Sequence, residues 1–257
     1  MSYAVPVSRE YDVSSVSVVV LARNEERTIA DVVTAALPLC REVIVMDGRS
    51  SDDTAGQAAR AGARVVHDPG LGKGAAIRES IGVCETEFVV FIDADGSHDP
   101  GDIPALVGAL VSGEADLCVG SRFAGGSDEL SVSVGQLVRT IGNILMNIAI
   151  NNRWNVELTD TLNGYRAVRR QSAIAVALTE DTHTIEQEMV MKFLRHGFSV
   201  VNVPTHEYRR VYGESHIHIW REWPKFVWCV VKNVAARDVR TRSSVPVSRP
   251  SRNESLR

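Results

Sequence analysis

The stretch VVFIDADGSHDP (89–100) runs from β-branched and aromatic residues directly into Asp93, Asp95, His98 and Asp99. Carboxylates this close repel one another, so the pattern asks for a cation. Two aspartates two positions apart at a strand end both reach one hard divalent ion when the strand bends. Mg²⁺ prefers such oxygen ligands, completed by water and phosphate oxygens. Asp99 and Asp102 read differently, as caps of the helix that follows Pro100.

Three more polar clusters follow apolar runs. VSVVVLA (16–22) ends in Ala22-Arg23-Asn24-Glu25, EVIVMD (42–47) in Asp47 to Asp52, and ARVVH (63–67) leads through Asp68 to Gly74. Each alone fits ordinary loop chemistry. In open parallel sheets, however, ligands bind at the carboxyl ends of strands, and four clusters on one rim point to a single site. GLGKG (70–74) lacks the spacing and Ser/Thr of a Walker loop. Its glycines allow a backbone approach to phosphate, with Lys73 adding a point charge.

The elements that must position these groups follow from periodicity. Short apolar runs at 16–22, 42–47, 63–67, 87–93 and 115–121 read as buried strands. Helical patterns at 27–37, 51–62, 72–83 and 104–113 alternate with them, which predicts a parallel sheet covered on both faces. Beyond Gly126 come a long apolar helix (134–150) with an internal Arg139, a helix at 185–197 and a strand at 198–204. An aromatic-rich helix (218–234), interrupted near Pro224, completes a mixed extension of the same sheet.

With 257 residues and 44% of them hydrophobic, the chain has enough apolar material for one large α/β domain. We place that domain at 14–236, after a loose leader (1–13) and before an Arg/Ser/Pro-rich disordered tail (237–257). The net charge of −4 hides an asymmetry: from Arg209 onward there are 11 Lys/Arg against 4 Asp/Glu, a local +7 that leaves −11 for residues 1–208. A basic end on an acidic body suits an anionic surface, or a solvated tail. The four cysteines lack a CxxC pair and sit among apolar neighbours, as small packing residues in a reducing cytoplasm do. No apolar run approaches the roughly 20 residues that cross a bilayer. The expected location is cytoplasmic, with peripheral contact at the inner membrane face an option.

The ordered segments SVVVLARNEERTI, VIVMDGRSSDDT, GLGKGAAIR, FIDADGSHDP, VGSRFAGG, TDTLNGYRAVRR and VPTHEYRRVYGESH resemble the family-2 inverting glycosyltransferases, closest to their dolichyl- and polyprenyl-phosphate mannosyltransferase-like branch. The resemblance spans about residues 16–234. It implies a GT-A fold: an αβα sandwich with a mostly parallel central sheet, a nucleotide-binding N-terminal half and C-terminal helices. It also implies that Ala22, Arg23, Asn24 and Glu25 line the nucleoside and that Asp47 meets the base or ribose. Lys73 would lie near the nucleotide and its phosphates, Arg209 and Arg210 are candidates for closing over the diphosphate, and Asp93, Ala94 and Asp95 would meet the nucleotide-sugar. Asp93 and Asp95 would hold Mg²⁺ or Mn²⁺, with Ser97 standing where the branch commonly has a metal-binding Gln. Arg122, Arg139 and His216 match positions that grip an acceptor phosphate, His216 in place of a lysine. An internal salt bridge is the alternative for both Arg122 and Arg139, and for Arg139 it reads equally well.

Asp160 in TDTLNGYR would orient donor sugar or acceptor, while Arg166 also reads as structural. Glu186 and Glu188 fall where the family carries acids near the sugar. At about 100° per residue Glu186 points among Met189, Val190 and Phe193, either beneath a site or as a helix-start cap. An alcohol acceptor needs a general base, which one of these acids would supply; a phosphate acceptor needs none. His183 and His206 read as hydrogen-bonding or surface residues. The apolar stripe Trp220, Trp223, Phe226, Val227, Trp228 and Val231 either lies at a membrane interface or docks on the domain or on a second subunit of a homodimer.

The expected reaction moves a hexose from a nucleotide-sugar of GDP-mannose or UDP-glucose type to a polyprenyl phosphate. The alternatives are a soluble acceptor, a sugar nucleotidyltransferase, and a non-catalytic nucleotide-sugar-binding protein. Against the nucleotidyltransferase stands LARNEER, which is not the Gly-rich basic loop that such enzymes place after the first strand.

Overall fold

A computed structural model of the chain describes residues 11–128, 134–210, 212 and 219–239; side chains in the two helices that open at Val134 and Ile219 are described from Thr140 and Trp223 onward. His216, the side chain of Arg139 and the tail from 240 lie outside these residues.

Seven strands form one sheet: β1 (Val16–Ala22), β2 (Glu42–Asp47), β3 (Arg64–His67), β4 (Phe88–Asp93), β5 (Leu117–Ser121), β6 (Arg166–Arg169) and β7 (Val200–Pro204), in the order β3-β2-β1-β4-β6-β5-β7. All pairings are parallel except those of β6, which runs antiparallel to β4 and β5. The helices are α1 (Ile29–Ala36), α2 (Thr54–Arg60), α3 (Lys73–Val83), α4 (Ile103–Val111), α5 (Arg122–Gly125), α6 (Val134–Trp154), α7 (Arg170–Ala175), α8 (Ile185–Arg195) and α9 (Ile219–Ala235).

Strand β1 shows why the apolar runs are continuous rather than alternating. Val16, Val18 and Val20 enter one core with Ile29, Val33, Ala58 and Leu106, beneath α1, α2 and α4. Val19 enters the other with Ile77, Met189 and Phe193, beneath α3 and α8. Both faces of the strand are therefore dry, as helices on both sides of a parallel sheet require. This is the αβα sandwich that the sequence predicts.

The order around β1 places a switch point between β1 and β4. There Leu21 pairs in register with Asp93, while Ala22 pairs with Asp47 on the other side. The carboxyl ends of β1, β2 and β4 thus form one rim.

Three expectations change. Strand β6 and helix α7 carry no apolar signature, because RAVR begins and ends on arginine. Helix α9 is continuous across Pro224, which lies in its second turn and forgoes only one backbone bond. The ends of the supposed leader and tail pack on the domain: the Tyr11 hydroxyl donates to the Leu39 carbonyl at 2.7 Å, and Asp238 accepts from Arg153 and Trp154. All four cysteines are free and buried. Among the described residues no helix is long and apolar enough to cross a membrane.

Candidate active site

The rim opens on a cavity of about 760 Å³, within the size range of small-molecule sites. Ala22, Arg23, Asn24 and Glu25 line one end of it. Their loop is bolted to the loop after β2: the Ser51 amide donates to Asn24 Oδ1 at 2.8 Å, and the Asn24 amide to Ser50 Oγ at 2.9 Å. Asn24 and Arg49 both hold φ of 57°, a left-handed backbone that non-glycine residues keep only when their surroundings enforce it. Gly48 and Arg49 join the lining here, whereas Asp47 does not. The Asp47 carboxylate is buried, accepting from the Ser50 amide and contacting His67 Nδ1 at 3.1 Å. Asp47 thus holds the loop after β2 from behind the lining.

The centre of the rim is a chain of ion pairs. Lys73 Nζ lies 2.8 Å from Asp93 Oδ1 and 2.7 Å from Glu186 Oε1, bridging β4 to α8. Burial works against both charges, yet each sustains the other: the Lys73 ammonium is held above its ordinary pKa by Asp93 and Glu186. Burial likewise opposes the Asp93 carboxylate, but Lys73, His98 and Arg210 bring it down to about 2. Gly164 faces this cluster, where a Cβ would come within 2.8 Å of both Asp93 Oδ2 and Lys73 Nζ. Only glycine leaves the three side chains room to meet.

Asp95 is held separately. Its Oδ1 accepts from the Ser97 amide at 3.0 Å and from Ser97 Oγ at 2.6 Å, and its Oδ2 lies 3.1 Å from Arg210 Nη2. Ser97 therefore orients Asp95, the effect expected of a short hydroxyl two residues on. Arg210 lines the cavity at this rim, whereas Arg209 is exposed and absent from the lining, its amide donating to Asp128 Oδ2.

Gly70 and Gly72 of GLGKG line the cavity, while Gly74 makes a packing contact. The amide of Gly74 donates to the Asp181 carbonyl at 2.8 Å, and a Cβ on Gly74 would strike the Glu180 carbonyl oxygen at 2.3 Å. The start of α3 is therefore docked on the backbone at 180–182, and that docking aims Lys73.

Across the cavity, Arg122 pairs with Asp160, which is fully buried, and lies 3.4 Å from Glu207. Burial raises the Asp160 carboxyl, but Arg122, Asn143 and the Leu162 amide outweigh it and hold it below the usual range. The segment bearing Asp160 is fixed by a polar stripe on α6. Asn143 Nδ2 donates to Asp160 Oδ1 at 3.2 Å, Asn147 Nδ2 to the Thr159 carbonyl at 2.6 Å and Asn151 Nδ2 to the Leu158 carbonyl at 2.8 Å. Asn202 of β7 braces the same segment, accepting from the Thr159 amide at 2.7 Å. Sequence reasoning passed over Asn143 and Glu207. The signal for the first was present: asparagines at 143, 147 and 151 fall four apart on an otherwise apolar helix. Glu207 stands in an irregular segment with no such pattern.

Glu188 does not reach the cavity. Thr179 and Glu180 donate to it from their backbone amides at 2.9 Å, and Lys192 lies 2.9 Å away, so it anchors the loop before α8. Arg166 is also internal, donating to the Glu186 and Asn163 carbonyls.

The comparisons with known proteins agree with this architecture. The chain is 34% identical over 194 residues to Glycosyltransferase AglJ of Haloferax volcanii, covering 75% of this chain and 62% of that protein. It therefore spans less than two thirds of the length of that relative. It is 32% identical over 203 residues to an uncharacterized glycosyltransferase of Mycobacterium tuberculosis, covering 79% of this chain and 89% of that one. Among solved structures, glucosyl-3-phosphoglycerate synthase of M. tuberculosis, in complex with Mn²⁺, UDP and glucosyl-3-phosphoglycerate, superposes with a TM-score of 0.68 at 25% identity, over 88% of this chain and 81% of that one. The family model described as Glycosyl transferase family 2 matches residues 17–176, from the second residue of β1 to just past α7. The strand ends that build the Asp93–Asp95 rim all fall inside that match: this chain belongs to glycosyl transferase family 2 and is a glycosyltransferase.

Proposed function

We propose that the protein transfers a hexose from a nucleoside-diphosphate sugar to the phosphate of a polyprenyl phosphate, with Mg²⁺ or Mn²⁺ at Asp93 and Asp95. The donor set fits such an ion. Asp93 is held ionised and Asp95 is oriented by Ser97, so two carboxylates stand together at the rim. The remaining positions fall to water and phosphate oxygens, the coordination that Mg²⁺ favours. When bound, the ion would offset the charge that develops on the departing diphosphate.

The chain's own residues do the rest. The nucleoside end lies along Arg23, Asn24 and Glu25, with Lys73 and Arg210 at hand for diphosphate oxygens. The acceptor oxygen attacks the anomeric carbon opposite the leaving group, forming the new C–O bond as the bond to the diphosphate breaks, so the centre inverts. Positioning and charge stabilisation supply the acceleration.

The observation that carries the phosphate acceptor is the state of the acids. Glu186 is paired with Lys73, and Asp160 with Arg122. Neither is a free base, and a phosphate oxygen needs none. Arg122 lines the cavity beside them, which supports it as the acceptor-phosphate contact.

The polyprenyl chain is supported by what lies beside that contact. Helices α6 and α9 pack together, with the Trp223 ring against Gly142, and both keep apolar outward faces. Ile141, Ile144, Leu145 and Ile148 are exposed on α6, and Val227, Trp228 and Val231 on α9, with Trp228 65% exposed. Helix α6 contains no acidic residue. An apolar face without acids beside a phosphate site suits the headgroup boundary of a membrane; a second copy of the chain is the competing occupant.

A second reading, a soluble phosphorylated acceptor, draws on the 41% identity over 123 residues to glucosyl-3-phosphoglycerate synthase, across 42% of this chain. Incubation with Mn²⁺ and radiolabelled UDP-glucose or GDP-mannose separates the two. The proposal expects label in the organic phase when polyprenyl phosphate is supplied. Label confined to the aqueous phase, and dependent on 3-phosphoglycerate, would establish the second reading.

A further inference from the structure

His98 has no role in the account above, yet its setting is that of a ligand contact. It lines the cavity between the Asp93–Asp95 rim and the Arg122–Glu207 pair, and it is only 5% exposed. Its position is fixed from three sides. The backbone bridges to Glu207, the Tyr208 amide donates to the Ser97 carbonyl at 2.8 Å, and the imidazole lies on Tyr165 with ring centroids 5.0 Å apart. Tyr165 is itself anchored, its hydroxyl donating to the Asp99 carbonyl at 2.8 Å. A side chain held this firmly loses little freedom on meeting a ligand.

The position of the donor follows from one missing bond. Nδ1 is buried with no hydrogen-bond partner. An unpaired buried lone pair is tolerated far more readily than an unpaired buried N–H, so the proton belongs on Nε2. The ring then offers the cavity one N–H donor flanked by carboxylates.

We propose that His98 Nε2–H recognises a hydroxyl of the transferred sugar and is a specificity-determining contact for the hexose. A hydroxyl suits this place better than a phosphate oxygen. It accepts from the imidazole and donates its own proton to a neighbouring carboxylate, Asp93 or Glu207, whereas an anion there would face three acids. The inference rests on the donor being a nucleotide-sugar, as proposed above. A site built around a hydroxyl discriminates strongly against a ligand that lacks it, because the buried polar group is then left unpaired.

The test compares binding of UDP with UDP-glucose, and of GDP with GDP-mannose, by calorimetry in Mn²⁺ for the wild type, His98→Phe and His98→Gln. Phenylalanine keeps the stack on Tyr165 and removes the donor; glutamine places an amide N–H near the position of Nε2. The expected result is that His98→Phe binds the nucleoside diphosphate as the wild type does but loses about tenfold in affinity for the nucleotide-sugar, the loss of one buried hydrogen bond. His98→Gln should recover part of that loss, and thermal unfolding should show all three proteins folded. An unchanged ratio of nucleotide-sugar to diphosphate affinity in His98→Phe overturns the assignment, as does an equal loss for both ligands. Failure of the underlying donor reading is distinguishable, because it appears in the wild type as no Mn²⁺-dependent binding of either pair.

Discussion

Arg122 clasps Asp160 through two hydrogen bonds, Nε to Oδ2 at 2.7 Å and Nη2 to Oδ1 at 3.1 Å. This bidentate fork fixes the plane of the guanidinium and leaves Nη1, 3.4 Å from Glu207, as its freer edge. A phosphate approaching from the cavity meets an arginine whose orientation is already set.

Breaking that clasp should cost both stability and turnover. Asp160→Ala leaves a largely buried guanidinium short of its main partner, a change that typically destabilises by about 3–5 kcal/mol. Urea unfolding should show a loss of this order, less whatever Glu207 compensates. Turnover should fall at least 100-fold in whatever fraction remains folded. A stability within 1 kcal/mol of wild type would show that the pair is not a structural element.

The asparagine stripe should act at a distance from the chemistry. Asn147→Ala removes the donor to the half-buried Thr159 carbonyl and the acceptor of the buried Thr161 hydroxyl, at a cost of about 1–3 kcal/mol. Because the segment that loosens carries Asp160 and not the nucleotide rim, kcat should fall while the affinity for the nucleoside diphosphate stays constant. Calorimetry alongside steady-state kinetics checks the split.

Gly164→Ala tests the ion-pair cluster without deleting any of its members. The new methyl would press on the Asp93 carboxylate and the Lys73 ammonium, forcing apart groups now 2.8 Å from one another. We expect at least a tenfold loss of turnover with only a modest drop in melting temperature. An activity equal to wild type would mean that the Lys73–Asp93 geometry is not needed for the reaction.

Acid should destabilise the protein over a defined window. Asp93, with its pKa at about 2, and Asp160, also lowered, bind protons less readily folded than unfolded. Their contribution is fully present above the unfolded carboxylate pKa of about 4 and is lost as the pH falls toward 2; for Asp93 alone it amounts to about 2 kcal/mol. Urea midpoints measured from pH 6 to pH 2 should decline mainly below pH 4, and the decline should be shallower in Asp93→Asn.

Much of this arrangement was legible in the sequence, and the exceptions share a cause. Strands β1, β2, β4 and β5 announce themselves because both their faces are buried, so apolar runs end abruptly where the rim begins; the edge strand β3 is only half-buried at Val65 and Val66 and shows through its short β-branched run. Asp93 and Asp95 stand out for the same reason, as acids at the edge of a dry strand. Strand β6 stayed hidden because its buried Arg166 is satisfied by the carbonyls of Asn163 and Glu186, contacts 3 and 20 residues away that no local pattern encodes. Glu188 and Asp47 have the composition of site residues, yet backbone amides of their own neighbourhoods claim them. Choosing Arg210 over Arg209 requires knowing which of two adjacent side chains the chain direction turns inward. Sequence supplies residue types at the rim; which carboxylate faces the cavity is decided by donors folded in from elsewhere.

The central claim is that Asp93 and Asp95 hold a divalent ion against a nucleoside diphosphate. Calorimetric titration of UDP and GDP into the wild type and Asp95→Asn, each with Mn²⁺ and with EDTA, tests it directly. The account predicts binding by the wild type that requires Mn²⁺ and weakens at least tenfold in Asp95→Asn, with the variant folded. Nucleotide binding indifferent both to EDTA and to the substitution would contradict it.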